Sequence, residues 1–379
     1  MEETRVSSFL FLSMKPATLS SSFESRRNRL RSRLKARKLS VLVITNPVNI
    51  FYLTGFRGSA GVAILGPEEA RLWVDPRYTL QAQEAACGVE VIEEKGGLLK
   101  AAAGWLGKRR PTRVGFEDSH LTCAEFRELK GEGRVTLRFK PAGGLIEELR
   151  FVKDSDEIAQ IRTAARITVS AFEEILSQVR PGVRESDLAA EIEYRMRRQG
   201  AEGAAFQTIV ASGPRGALPH ARASAKSLKK SELVIFDLGA ILAGYAADMT
   251  RTIYLGEPSR RVRSLYKAVL EAQQRALEAL QAGTQAREVD AAARRILAGR
   301  GLAKYFTHST GHGIGLEIHE KPRLGRGEST RLKVGCVVTA EPGIYLKGFG
   351  GLRIEDTVLV GAEGPEILTP ASKDRWIIS

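Results

Sequence analysis

Leu233-Val234-Ile235-Phe236-Asp237-Leu238-Gly239-Ala240-Ile241-Leu242-Ala243-Gly244-Tyr245-Ala246-Ala247-Asp248-Met249-Thr250-Arg251-Thr252 reads as a β-hairpin with a carboxylate in each arm. The first arm, Leu233–Leu238, is a continuous apolar run of strand length. A turn near Leu242–Gly244 leads into a second arm, Ala246–Tyr254. With the hairpin centred between Ile241 and Gly244, Asp237 and Asp248 are near cross-strand partners. Two carboxylates that close repel each other unless a cation or a shared proton lies between them. The competing reading turns one of them to solvent, and on this pair alone the two readings stand level.

Outward from the hairpin, the second half of the chain alternates amphipathic helices with strands. Asp154 and Glu157 have the spacing of a helix-starting capping box. Ile158, Ile161, Ala165, Phe172, Ile175 and Val179 then recur at helical spacing up to Pro181-Gly182. Leu188, Ile192 and Met196 mark a second helix. Val262, Leu265, Val269, Leu277 and Leu280 mark a third, and Val289, Ala293, Ile296 and Leu297 a fourth. Further strands are expected at Gly311–Leu316, Val334–Ala340 and Leu352–Val360. This is an α+β pattern, with helices on a curved, largely antiparallel sheet. The first half instead alternates short strands (Ser40–Thr45, Gly61–Leu65, Ala70–Val74, Val89–Ile92, Arg113–Phe116, Val135–Phe139) with helical stretches such as Tyr78–Ala86 and Leu121–Leu129, as an α/β domain does. The pattern changes across Gly143–Lys153, which places the domains at 24–147 and 148–379. A chain of 379 residues is in any case long for one core.

The remaining chemistry gathers in the second half. The chain has five histidines. Three of them, His308, His312 and His319, share the glycine-rich segment His308–His319, where Gly311 and Gly313 leave the His312 imidazole accessible. Glu341 stands where the strand Val337–Ala340 stops at Pro342-Gly343. Arg353, Glu355 and Thr357 share one face of a strand by alternation. Taken alone, Arg353 and Glu355 are an ordinary same-face ion pair. Taken together, Asp237, Asp248, Glu341 and Glu355 with His312 form an oxygen-rich ligand set suited to Mn²⁺, Co²⁺ or Zn²⁺. Four negative charges match two divalent cations. Such ions, ~3.5–4 Å apart, can share a water and lower its pKa toward neutrality, which is a route to amide hydrolysis. Neither a GxSxG elbow nor an HExxH helix is present.

Composition excludes several other classes. Hydrophobic residues make up 43% and charged residues 27%, as in a globular protein. No apolar run approaches the ~20 residues that span a bilayer. The three cysteines, Cys87, Cys123 and Cys336, are scattered and form no CxxC pair, which points to a reducing, cytoplasmic setting. Residues 1–23 contain the short apolar piece Phe9–Leu12 behind Glu2 and Glu3. They read as a disordered leader, or as an upstream start with Met14 as the true first residue. Part of the +14 formal charge lies in Arg26, Arg27, Arg29, Arg31, Arg33, Lys35, Arg37 and Lys38. With Leu30 and Leu34 at i,i+4 and no interleaved aromatic, this run reads as the solvated face of a helix and not as a nucleic-acid patch.

Phe236–Gly239, Asp248–Thr252, Gly311–Gly315, Glu341–Gly343 and Arg353–Asp356, in this order, resemble the metallopeptidase family that includes methionine aminopeptidase, Xaa-Pro aminopeptidase and prolidase, with its pita-bread fold. Asn46–Phe56 resembles the N-terminal domain of the proline-specific members. The resemblance implies a creatinase/prolidase-like domain over 24–147 and a pita-bread catalytic domain over 148–379. It implies two divalent metal ions, with manganese first among the candidates. Asp237 would chelate one ion and His312 the other, Asp248 and Glu355 would bridge them, and Glu341 would bind the second and act as general base. His220, within Leu218–Arg222, and His319 match substrate-side histidines; His308 matches another active-site histidine and Arg353 a supporting arginine. No ligand position departs from the pattern, which argues against a non-catalytic binding module. The implied substrates are peptides with proline in second position, and the implied assembly is a homodimer. Gly58–Gly61 and Leu72–Tyr78 favour the aminopeptidase over the dipeptidase.

Overall fold

The computed structural model describes residues 16–131 and 137–379. The chain divides into two compact units, Met1–Leu149 and Arg150–Ser379, and the division lies inside the Gly143–Lys153 stretch.

In the first unit the elements run α1 (Pro16–Ala36), β1 (Val41–Ile44), α2 (Pro47–Thr54), β2 (Val62–Leu65), β3 (Ala70–Val74), α3 (Thr79–Ala85), β4 (Glu90–Glu93), α4 (Leu98–Arg109), β5 (Val114–Phe116), α5 (Cys123–Lys130) and β6 (Phe139–Pro141). The strands form one mixed sheet in the order β4-β3-β2-β1-β5-β6. Val41, Val43, Val62, Ile64 and Trp73 lie on one face and pack against Ala102 and Leu106 of α4 and Leu129 of α5. Their strand neighbours Leu42, Ile44, Ala63, Leu72 and Val74 are buried as well, so both faces are covered. Residues 1–15, with Phe9–Leu12 and Met14, and the first half of the expected strand Val135–Phe139 lie outside the described residues. Helix α1 begins at Pro16, inside the stretch 1–23 expected to be a leader, and Phe23 is buried on it together with Leu30 and Leu34.

The basic run on α1 differs from its sequence reading. Arg26 and Arg27 are buried and not solvated. Arg26 donates to the Tyr52 carbonyl (3.2 Å) and Arg27 to the Leu53 and Cys87 carbonyls (2.8 and 2.7 Å). Tyr52 and Leu53 belong to the last turn of α2, whose carbonyls have no partner inside the helix and carry the negative end of its dipole. Arg31 donates to the Gly66 carbonyl at 3.1 Å, and Arg33 pairs with Glu148.

After a short helix, α6 (Glu147–Arg150), the second unit contains α7 (Ser155–Ile175), α8 (Glu185–Arg198), β7 (Gly203–Ala204), β8 (Ile209–Ser212), β9 (Leu233–Leu238), β10 (Ala240–Leu242), β11 (Tyr245–Ala246) and β12 (Met249–Leu255). It continues through α9 (Arg260–Ala279), α10 (Ala286–Gly299), β13 (Gly311–Gly313), β14 (Glu320–Leu324), β15 (Val337–Ala340), β16 (Gly343–Leu346), β17 (Gly350–Arg353), β18 (Asp356–Val360), β19 (Pro365–Ile367) and β20 (Ile377–Ile378). The expected capping box starts α7: Asp154 accepts from the Glu157 N–H and Glu157 from the Asp154 N–H, both at 3.0 Å. The strands form four ladders, β11-β10-β7, β20-β12-β9-β8, β14-β13-β15-β18-β19 and β16-β17. Their pairings are antiparallel except for β12 with β20. One core joins α7 and α8 to the ladder of β9 and β12 through Phe172, Ile192, Met196, Phe236 and Met249. A second core joins α9 and α10 to the ladder of β15 and β18 through Val269, Val289, Leu297, Val338 and Val358.

Two registers place the candidate site. The hairpin of β9 and β12 sets Asp237 opposite Thr250 and Leu238 opposite Met249. Asp248 therefore falls opposite Gly239, and the two aspartates are diagonal neighbours on one face, offset by one step from the direct pairing that the sequence suggests. The turn is displaced because both Ala243 (φ 48°) and Gly244 (φ 84°) adopt the left-handed conformation of a tight hairpin turn. A Cβ at Gly239 would lie 2.0 Å from the Ala247 carbonyl, so only glycine permits this approach. In the second hairpin, the expected continuous strand Leu352–Val360 breaks at Ile354-Glu355. The chain changes partner there, β17 pairing with β16 and β18 with β15. The facing strand breaks at Glu341-Pro342, where proline has no N–H for a ladder. Register is kept across both breaks, from Ala340↔Asp356 to Gly343↔Arg353, so Glu341 and Glu355 face each other in the gap.

Candidate metal centre

The two hairpins and β13 bring the five expected ligands together in the second unit. Asp248, His312 and Glu355 offer donor atoms that all lie within 4.8 Å of one another. His312 Nε2 lies 3.7 Å from Asp248 Oδ2 and 3.4 Å from Glu341 Oε1. Asp237 joins them through Arg353, which donates to its Oδ2. The flanking glycines of His312 are required by close packing: a Cβ at Gly311 would lie 2.0 Å from the Thr339 carbonyl and one at Gly313 2.3 Å from the Lys321 carbonyl.

Asp237, Asp248 and Glu355 are at most 8% exposed. One oxygen of each is engaged or faces His312, but Asp237 Oδ1, Asp248 Oδ1 and Glu355 Oε1 are buried without a hydrogen-bond partner. Orphaned carboxylate oxygens are costly, and here they come from three residues of one cluster. Burial, with the charges of Glu355, Asp237 and Glu341, holds the Asp248 carboxyl well above the usual carboxylate range. Burial, Glu341 and Asp237 do the same to Glu355, and burial raises Glu341. The imidazole is set for ligation. His312 Nδ1 lies 3.0 Å from the Gly313 carbonyl, which can only accept, so Nδ1 carries the proton and Nε2 presents its lone pair. Burial keeps this ring's pKa down, in the neutral, ligating form. The donor set and its unsatisfied oxygens thus fit divalent cations.

Similarity to known proteins agrees with this chemistry. Residues 159–362 match metallopeptidase family M24, and residues 26–152 match the creatinase/prolidase N-terminal domain. The chain belongs to metallopeptidase family M24. Family membership implies divalent metal ions and gives the second unit its pita-bread assignment. This M24 metallopeptidase is 39% identical over 337 residues to the Xaa-Pro dipeptidase of Pyrococcus horikoshii, covering 88% of this chain and 93% of the relative. The Xaa-Pro dipeptidase structure from Bacillus anthracis superposes with a TM-score of 0.90 at 41% identity, covering 94% of this chain and 100% of the other. The X-Pro aminopeptidase structure from Thermotoga maritima superposes at 0.85 with 36% identity, covering 93% and 100%.

Arg353, His308 and His319, also expected from the resemblance, adjoin the cluster. Arg353 is buried and donates to Asp237, to Thr250 Oγ1 at 3.0 Å, to the Tyr345 hydroxyl at 2.7 Å and to the Pro219 carbonyl at 3.3 Å. The last bond ties the segment that carries the exposed His220 to the cluster. His308 Nδ1 lies 2.8 Å from the Ser309 carbonyl and so donates to it; its Nε2, 2.9 Å from the Tyr345 hydroxyl, accepts. Burial lowers the His308 pKa. The His319 ring lies 4.4 Å from that of His312, edge to face, and its pKa is lowered by burial, then by His312.

Four further residues of this neighbourhood escape the sequence reading as site residues. Tyr345 links Arg353 to His308, and burial pushes its hydroxyl up to about 12. Thr250 donates to Glu355 Oε2 at 2.6 Å, Thr357 donates to the Asp248 carbonyl at 2.7 Å and accepts from its N–H at 3.1 Å, and Thr339 lies 3.4 Å from Glu341 Oε1. Each threonine stands two positions from a carboxylate, in Asp248-Met249-Thr250, Thr339-Ala340-Glu341 and Glu355-Asp356-Thr357. That repeated spacing is the signal that would have found them.

Proposed function

We propose that this M24 peptidase is a dinuclear metallopeptidase that hydrolyses the bond before proline, with Xaa-Pro dipeptides as its first substrates. The observation that carries the metal reading is the trio of orphaned buried oxygens on Asp237, Asp248 and Glu355, beside the free Nε2 of His312. Asp237, Asp248, His312, Glu341 and Glu355 are assigned the two ions, manganese first, with cobalt or zinc as alternatives. Bound there, divalent cations supply an acidified water and a Lewis acid for the substrate carbonyl.

The protein's own groups divide the remaining work. Glu341, its carboxyl raised by burial, is assigned the proton of the attacking water. Arg353 keeps one Asp237 oxygen occupied, and Thr250 does so for Glu355, so that the other oxygen of each stays directed at the cluster. His319, kept neutral by burial, and the exposed His220 are assigned to the substrate side, where an N–H donated to the developing oxyanion is worth ~10²–10³ in turnover. His308, through Tyr345, steadies Arg353.

The dipeptidase takes precedence over the aminopeptidase, because relatives at 39% and 41% identity carry the Xaa-Pro dipeptidase name. The Thermotoga relative, at 36%, supports the aminopeptidase as the alternative. A cytoplasmic homodimer belongs to the same proposal. Among the described residues no helix is long and apolar enough to cross a membrane, and Cys87, Cys123 and Cys336 are free thiols. The test is cleavage of Ala-Pro, Ala-Pro-Ala and Ala-Ala after loading with Mn²⁺, Co²⁺ or Zn²⁺ separately. The proposal expects release of alanine from Ala-Pro, much slower cleavage of Ala-Pro-Ala, none of Ala-Ala, and loss of all activity in a chelator. Preference for Ala-Pro-Ala would restore the aminopeptidase, and equal cleavage of Ala-Ala would remove proline specificity.

A further inference from the structure

Beneath the cluster lies a buried ion pair that none of the assigned roles uses. Arg251 (2% exposed) and Asp356 (fully buried) are joined from Nη2 to Oδ1 at 2.7 Å. Each stands next to a residue of the site, Arg251 after Thr250 and Asp356 after Glu355. By strand alternation they project from the face opposite the carboxylates. The guanidinium is fully used. Nη1 donates to the Thr250 carbonyl at 3.0 Å and the Glu355 carbonyl at 2.5 Å, Nη2 also to the Thr369 and Ala371 carbonyls at 2.9 and 2.8 Å, and Nε again to Ala371 at 3.2 Å. The second Asp356 oxygen is closed off by Gln273 Nε2 at 2.7 Å and Lys373 Nζ at 2.5 Å.

This arrangement is more than charge neutralisation. The carbonyls that Arg251 grips belong to Thr250 and Glu355, whose side chains bond to each other on the cluster face at 2.6 Å and whose backbones meet at 3.0 Å. Glu355 lies in the strand break, where it has no regular ladder to hold it. Arg251 supplies the missing restraint, and Asp356 fixes the orientation of the guanidinium fork. A hydrophobic pair of similar volume would serve stability as well or better, since a buried ion pair must offset the desolvation of both charges. It would not hold two strands at a set separation through planar, directional bonds.

We propose that Arg251 and Asp356, steadied by Lys373 and Gln273, are positioning residues that set the spacing between the Asp248 and Glu355 carboxylates. They act on the cations only through those side chains. The inference rests on the metal reading of the cluster and adds to it the device that tunes its geometry. Partners of this kind, one shell beyond the ligands, typically change metal affinity 10- to 100-fold when altered.

Arg251→Lys keeps the charge and loses the fork; Asp356→Asn keeps the shape and loses the charge. Lys373→Met, at the partly exposed end of the network, leaves both strands untouched and guards against failure of the first two to fold. Each protein, stripped of metal and checked for folding by thermal unfolding, is titrated with Mn²⁺ in competition with a chelator, and its visible spectrum is recorded with Co²⁺. The expected result is affinity weakened about 10-fold or more in Arg251→Lys and Asp356→Asn, a smaller loss in Lys373→Met, and an altered Co²⁺ spectrum at temperatures where the metal-free variants are folded. Folded variants with unchanged affinity and spectrum, whatever their melting temperatures, would reduce the pair to a structural role and overturn the proposal. In that outcome the wild type still binds metal; a wild type that binds none refutes the metal reading itself.

Discussion

Asp248 shows most directly how one residue can be costly in one state and required in another. In the metal-free protein its carboxyl is held well above the usual range by burial, then by Glu355, Asp237 and Glu341. A carboxyl whose folded pKa is raised binds more protons in the folded state than in the unfolded one. Its contribution to stability is complete below the ordinary carboxylate range and is lost as pH rises through the raised folded value. His308, His312 and His319 have lowered pKa values, which act in the opposite sense below about pH 6.5. A comparison of wild type with Asp248→Asn cancels much of that background. Without metal, Asp248→Asn is expected to melt higher than wild type, by a margin that grows as pH rises from about 5 to about 8. Saturating Mn²⁺ should reverse the order. A margin that stays flat or narrows with rising pH would show that burial and its neighbours do not raise the Asp248 carboxyl. Thr250 occupies one Glu355 oxygen and Thr357 both backbone groups of Asp248, while Asp248 Oδ1 and Glu355 Oε1 stay without a partner.

Among the elements, α2 and the β17–β18 junction show what sequence periodicity conveys and what it omits. The cap of α7 was legible, because Asp154 and Glu157 act within one turn and their spacing is the whole geometry. The runs that became β9 and α8 were legible from local pattern as well, β9 as a continuous apolar run buried throughout and α8 through Leu188, Ile192 and Met196 at helical spacing. The break at Ile354-Glu355 was not legible, because the residues on either side remain buried and in register while only the partner strand changes. Nor was the destination of Arg27, whose acceptors lie 26 and 60 residues away. A charge run carries no mark that tells a solvated arginine from one closing the end of another helix. Arg27→Met tests that role. It would leave the Leu53 and Cys87 carbonyls short of a charged donor and is expected to cost about 3 kcal/mol, read as a lower urea midpoint with an unchanged slope. A change within about 0.5 kcal/mol would return Arg27 to the class of solvated residues.

At the scale of the whole molecule, the α/β first unit and the α+β second unit follow from the change of pattern near Gly143–Lys153, and the division at Leu149 and Arg150 falls within it. The clustering of the residues proposed as ligands was legible for a physical reason. Carboxylates inside apolar strands are rare unless something binds them, and Asp237, Asp248, Glu341 and Glu355 all lie within or at the end of such strands. What joins them, namely Arg353 reaching Tyr345 and Pro219 and Arg251 reaching Thr369 and Ala371, depends on contacts between distant segments that no local pattern encodes. Substrate choice was less legible still: Gly58–Gly61 and Leu72–Tyr78 pointed to an aminopeptidase, whereas named relatives at 39% and 41% identity favour a dipeptidase. The central claim is that one buried cluster of four carboxylates and an imidazole is a site for two cations. Calorimetric titration of the metal-free protein with Mn²⁺, on wild type and Asp248→Ala side by side, tests it most directly. The account predicts about two equivalents bound by the wild type and a loss of tight binding in the variant. No stoichiometric binding by the wild type, or two equivalents retained at full affinity in Asp248→Ala, would contradict it.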